Sequence, residues 1–171
     1  MTKPSATTYP EYFQRYINQV QEDDLKTAFK NQMPPAEIFL KSISEELSTK
    51  KYAEDKWTIR EVLQHIIDAE RVFSYRAMCF ARKDQTILPS FDENSYALNS
   101  TANNRAWHEL IEEFVATRKS TEYLFNSFTD EALNTVGKAS NYTITVGAVG
   151  FVTVGHVNHH IRIIQERYIG V

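Results

Sequence analysis

Residues 57–84 read WTIREVLQHIIDAERVFSYRAMCFARKD, and this stretch decides the fold class. Thr58 stands where an N-cap belongs, and Glu61 follows three positions later, the spacing of a capping box. From there Val62, Ile66, Ala69, Phe73 and Phe80 recur at helical intervals to about Lys83. A capped amphipathic helix of this length needs partners for its apolar face. The rest of the chain supplies them.

Upstream, Tyr12, Phe13, Tyr16, Ile17 and Val20 mark a first helical segment running from Pro10 to about Gln32, interrupted at Asp23-Asp24 and continued by a short piece, Leu25 to Asn31. The doublet Pro34-Pro35 is expected to stop it, because proline removes a backbone donor and its ring crowds the preceding turn. A new stripe, Ala36, Phe39, Leu40, Ile43 and Leu47, then predicts a helix ending near Ser48. Downstream, residues 84–103 carry no periodic run, so a crossover or lid is expected there. Trp107, Leu110, Ile111, Phe114, Thr121, Leu124, Phe125 and Phe128 define a third long helix. A polar linker through Gly137 and Asn141 leads to a last helix capped by Thr143 or Thr145 and reaching about Tyr168. Strand competes with helix over 142–154, which is rich in Val, Thr and Ile. The expectation is an all-α protein, a four-helix bundle in a single domain spanning residues 1–171.

Composition agrees. Apolar residues make up 42% and charged residues 24%, and Gly and Pro number five each, too few for a many-turned β-sandwich. The net charge of −3 gives no electrostatic footprint for nucleic acid. No window approaches about 18 uninterrupted apolar residues, and the N-terminal stretch lacks a signal-peptide core, so a cytoplasmic protein with no membrane partner is expected. A lone Cys79 excludes an intramolecular disulfide and a cysteine-rich zinc site.

Three of the five histidines fall within five residues: His156, His159 and His160. On a helix, His156 and His160 lie one turn apart, about 40° around the axis, so both imidazoles can converge on one metal ion. His156 also continues the stripe of Val149 and Val152, which points the pair inward. His65, among Val62, Ile66 and Ala69, is a candidate third ligand; the alternative is a core histidine bonded to a carbonyl or carboxylate. With the two helices antiparallel, the sites differ in height by about 5 Å, against about 9 Å if parallel. Antiparallel placement needs the 84–103 segment to cross the bundle, so that the second and third long helices run parallel. Three imidazoles would leave a coordination position open, as in a catalytic site, and suit zinc, nickel or copper.

Asp68, one turn from His65, could orient that ring or take part in catalysis; an ion pair with Arg71 or Arg162 is the other reading. Glu70 points further round, towards an ion pair. Arg71, Arg76 and Arg162 could receive an anion or simply solvate a helix face. Asp92, Glu93 and Asn94 sit on the lid segment, where capping is at least as natural a role. His159 is placed at the border of the pocket, His108 in solvent, and Cys79 in the core.

The residues 57–84 quoted above, followed by LPSFDENSY and GHVNHHIRIIQERY, resemble the DinB-like (YfiT-like) superfamily over about Ala36 to Tyr168. The resemblance implies a four-helix bundle in up-down-down-up order, with a long crossover between the second and third long helices. It also implies a divalent metal, nickel or zinc, held at the positions of His65, His156 and His160. Thiol-dependent S-transferases, a thiol-dependent isomerase and metal-dependent hydrolases occur among such proteins, so a low-molecular-weight thiol is a possible cofactor. A small-molecule substrate and a homodimer are further expectations, with a non-catalytic, stress-related metal-binding role as the alternative to an enzyme. Finally, all five glycines follow residue 136, and Gly147, Gly150 and Gly155 fall inside the last helix. They predict a tightly packed helix just before the histidines.

Overall fold

The computed structural model describes residues 2–170. Among these the chain forms α1 (Gln14–Ile17), α2 (Leu25–Ser42), α3 (Ile59–Ala81), α4 (Glu93–Asn99), α5 (Trp107–Asn126), α6 (Asp130–Asn134) and α7 (Val146–Ile163). One antiparallel hairpin, β1 (Val136–Ala139) and β2 (Tyr142–Thr145), precedes α7.

The capping box is present at the start of α3. The Glu61 amide donates to Thr58 Oγ1 at 3.1 Å, and the Thr58 amide donates to Glu61 Oε2 at 2.7 Å. Ile59, Leu63, Ile66, Ile67, Ala69 and Phe80 are then fully buried against the other long helices. Their side chains join two apolar clusters, one around Trp107, Phe114 and Ile164, the other around Phe29, Phe125 and Phe151.

Cross-helix pairs fix the layout. Along α3, Gln64 meets Arg105 just before α5, Glu70 meets Arg118 and Ser74 meets Thr121, so these positions advance together along both helices. Between α3 and α7 they advance in opposite senses, with His65 against His160 and Phe73 against His156. Helix α2 lies against α5 through Trp107 Nε1 donating to Leu40 O (3.1 Å) and Phe29 packing on Phe125.

Four expectations are corrected. The Pro34-Pro35 doublet does not break the chain's first long helix: α2 runs through both prolines. Both are exposed, as are Lys30 and Asn31, whose carbonyls lose their intrahelical partners and are left to water. Buried Gln32, Ala36 and Leu40 keep the inner face continuous, while the helix expected from Pro10 is only α1 preceded by a short 3₁₀ turn. The molecule is mostly helical rather than all-α, because residues 136–145 form the hairpin. Their β-branched and aromatic side chains fit strands, and Ser140 adopts the left-handed conformation (φ 54°) that reverses the chain.

The hairpin ends where Thr145 caps α7, its Oγ1 accepting from the Ala148 amide at 3.2 Å. That helix stops at Ile163, and residues 164–169 continue as wider π turns to Gly170 at φ 82°. Residues 84–103 are not a structureless lid. Leu88 is buried and pairs with the hairpin, its amide donating to Lys138 O and its carbonyl accepting from the Ser140 amide. Asp92 then caps α4 by accepting from the Asn94 and Ser95 amides. No helix among the described residues is long and apolar enough to cross a membrane.

Candidate metal centre

The three inward histidines meet. His65 on α3 and His156 on α7 bring their Nε2 atoms to 3.1 Å, and His160 Nε2 lies 3.2 Å from that of His156. Ligands sharing one tetrahedral ion at 2.0–2.1 Å have nitrogens about 3.3 Å apart, so the observed spacing matches a common ion. These three residues form the one group of potential metal-binding side chains found among the described residues.

Why the histidines converge follows from the backbone. Gly155 carries no side chain, and a Cβ there would lie 2.0 Å from the Tyr16 carbonyl oxygen. The end of α1 therefore presses directly on α7, one residue before His156. Tyr16 stacks edge-on against His156 and His159, at 5.2 and 5.3 Å between ring centres. Phe73 closes the far side of His156, and Trp57 lies 5.0 Å from the His65 ring. Gly147, Gly150 and Gly155 are all buried, as a closely packed last helix requires.

Burial sets the electrostatics. It pushes His65 down to about 4 and holds His156 and His160 well below the ordinary histidine range, with neighbouring imidazoles adding to the effect. At neutral pH all three rings carry lone pairs and no charge, the state in which imidazole binds a metal. Each neutral ring has one N–H and one lone pair, and the tautomers with the lone pair on Nε2 aim three lone pairs at one point. A divalent cation would satisfy all three at once, so the donor set fits one.

The rings open onto a cavity of about 580 Å³. Trp57, Phe13, Tyr16 and Phe73 give it apolar walls, and Arg76, Tyr142 and Glu93 stand along its edge. Asp68 is not in the cavity lining. It accepts from Gln64 Nε2 at 3.0 Å, lies 3.5 Å from Arg71, and borders a separate shallow groove with Tyr96 and Asn99.

Glu70 forms an ion pair with Arg118. Arg71 pairs with Glu113 and Arg162 with Glu166, which leaves Arg76 as the cavity's share of that trio. His108 is exposed and Cys79 is buried and free. His159 borders the cavity with its buried Nδ1 unpaired among the described residues. Sequence reasoning missed Tyr16 and Tyr142, which reach the site from α1 and from the hairpin strand β2 that leads into α7. Arg76 had a signal, since it stands three residues after Phe73 and four before Phe80, on the buried stripe itself.

A family model, that of the DinB superfamily, matches residues 36–164. No curated protein matches the chain. Among solved structures it is similar to YfiT from Bacillus subtilis, described as a probable metal-dependent hydrolase with an unusual four-helix bundle topology. The two share 17% identity and superpose with a TM-score of 0.66, over 96% of this chain and 90% of that one. The likeness at this identity is one of fold.

Proposed function

Since the chain belongs to the DinB superfamily, we propose that it is a metal-dependent enzyme acting on a small molecule, with a divalent ion held by His65, His156 and His160. One observation carries this reading: three neutral imidazole nitrogens meet at the floor of an open cavity. A closed structural site would surround its ion with four protein ligands; here the protein offers three, and the fourth side faces the cavity. When bound there, the ion supplies Lewis-acid polarisation and acidifies a water or a thiol.

The chain's own residues do the rest. Trp57, Tyr16 and Phe73 hold the imidazoles in place and exclude water around them. Hydrolysis is the reaction supported by the description of YfiT. Transfer to a small thiol is the other reaction the open position allows. Asp68 receives no catalytic role, because it lies outside the cavity. The helix pairings support an up-down-down-up order of α2, α3, α5 and α7, which brings the start of α3 beside the end of α7.

Metal analysis of the purified protein tests the reading. About one divalent ion per chain is expected in the wild type and none in His156→Ala. Negligible metal in the wild type overturns it. Ester and thiol substrate panels then separate the reactions, and turnover lost in His65→Ala marks the site as catalytic. Stoichiometric metal with no turnover on any panel member would instead support a binding protein.

A further inference from the structure

Three arginines are almost removed from solvent: Arg60 at 7% exposure, Arg76 at 5% and Arg118 at 0%. A guanidinium stays charged when buried, so each needs an anion nearby. Arg118 has one, gripped by both carboxylate oxygens of Glu70 at 2.8 Å. Arg60 has one, donating to the Glu45 carboxylate.

Arg76 does not. Its Nη1 donates to the Tyr142 hydroxyl at 2.9 Å and its Nη2 to the Pro89 carbonyl at 2.7 Å, with the Phe91 ring 5.9 Å away. Every one of these partners is neutral. Among the described residues no carboxylate lies within ion-pair distance of Arg76, and three of its five N–H donors stay unused. The missing anion has a place to sit, because Arg76 and Tyr142 both line the cavity of the three histidines. The cavity's single lining carboxylate, Glu93, is exposed and does not pair with Arg76. Arg15, the other lining arginine, is exposed and lies over the Tyr12 and Tyr16 rings, where water solvates it.

We propose that Arg76 and the Tyr142 hydroxyl form the anion-recognition end of this cavity, and that its substrate is an elongated small molecule carrying a carboxylate. The reacting end of that molecule rests on the metal-site reading above; the carboxylate end does not. Tyr142 accepts from Arg76 and so keeps its own O–H free to donate to the same carboxylate. Arg76 lies eleven residues beyond His65 on α3, about 16 Å of helix rise, so one ligand group cannot meet both. Phe73 stands between them on the same helix, and Phe13 packs against Tyr142 at 5.3 Å. The middle of the substrate is therefore apolar. A single guanidinium with one neutral hydroxyl matches a monoanion better than a dianion.

Binding of octanoate, octanamide and octylphosphonate, read by intrinsic tryptophan fluorescence with Trp57 lining the cavity, tests this on the protein as purified and again after chelation. Octanoate is expected to bind at least tenfold more tightly than octanamide in both preparations. If the carboxylate merely ligated a metal, the preference would vanish after chelation, and the proposal would fall while the metal reading stood. Conversely, a protein that purifies without metal but keeps the preference sinks only the metal reading. Arg76→Met should abolish the preference, Arg76→Lys should keep part of it, and Tyr142→Phe should reduce it several-fold. Arg71→Gln, outside the cavity, should leave it unchanged. If Arg76→Met fails to fold by circular dichroism, the Lys and Phe variants decide. Equal binding of octanoate and octanamide in the wild type, or tighter binding of octylphosphonate than octanoate, overturns the proposal.

Discussion

Two polar clusters lie back to back on α7 and obey opposite rules. On one side Val154 and Asn158 join a network centred on Arg118; on the other, His156 and His160 join His65. The Arg118 network is closed. Glu70 takes two of its N–H groups and Gln32 Oε1 a third, while Gln32 Nε2 donates to Val154 O (2.6 Å) and Asn158 Oδ1 (2.5 Å). Asn158 in turn donates to Gln19 O at 3.0 Å, so the network ties α2, α3, α5 and α7 to the turn before α2. The histidine cluster is open. Imidazole meets imidazole there, with Nε2 atoms 3.1 and 3.2 Å apart and no group of opposite charge, and the space beyond is a cavity. Burial with matched partners makes a structural element; burial with like partners at a cavity makes a site for something supplied from outside.

The sharpest way to break this distinction is to open the closed cluster. Glu70→Ala strands the Arg118 charge, and it is expected to cost about 3–5 kcal/mol. Urea unfolding measures the loss, and metal content per folded molecule should not change. A cost below about 1 kcal/mol, where surface ion pairs fall, would show that the network does not hold the bundle.

Acid should act on the open cluster next. In the metal-free protein, His65 protonates at about 4 when folded and at 6.5 when unfolded. Between those values the unfolded chain binds more protons, so this contribution is present above pH 6.5 and is lost as pH falls towards 4. Its size is about 3 kcal/mol. Melting temperatures of chelated protein across that window should fall with pH, and His65→Gln should reduce the slope while His156 and His160 keep part of it. A flat wild-type profile would contradict the burial of a neutral His65.

Filling the open cluster should then stabilise it. Zinc at one hundred times its dissociation constant is expected to add about 2.7 kcal/mol to the wild type and nothing to His160→Ala. Without metal, His160→Ala loses a single imidazole–imidazole hydrogen bond and should cost about 1 kcal/mol. Glu70→Gln, whose altered side chain lies in the other cluster, should retain the zinc effect.

Much of this division could be read from spacing, and some could not. The start of α3 was legible because a capping box is local chemistry, contained in the four residues Thr58 to Glu61. The histidine set was legible because His156 and His160 share a helix face and His65 breaks an apolar one. The partner of Glu70 was not. Arg118 lies 48 residues away, and only the tertiary register of α3 on α5 brings them together. A trace existed, since Arg118 stands four residues after Phe114 and three before Thr121, in line with the buried stripe of α5. A charged residue on such a stripe announces a buried pair without naming the partner. The hairpin and the unbroken α2 escaped for a different reason: turn geometry and the solvent exposure of two prolines are properties of the assembled fold.

The smallest test concerns the helix that carries both clusters. A Cβ at Gly155 would strike the backbone of Tyr16, at 2.0 Å from its carbonyl oxygen and 2.4 Å from its carbonyl carbon. Backbone cannot swing aside as a side chain does, so Gly155→Ala must push α1 off α7, at about 1–3 kcal/mol. Tyr16 would then leave the face of His156, and metal affinity should fall by about 10–100-fold, the range for losing a group that positions a ligand. At Gly150 the added carbon meets Leu25 Cδ2 at 2.6 Å and Phe125 Cε1 at 2.8 Å, and Leu25 ends in a flexible side chain. Gly150→Ala also gains helix propensity of about 1 kcal/mol, so its net cost should be smaller and its metal affinity unchanged. Zinc titration of the two variants separates the cases. Equal losses of affinity would mean that strain anywhere along α7 reaches the histidines, and that the two clusters are one mechanical unit. A loss confined to Gly155→Ala would place the control of the open cluster in its contact with α1.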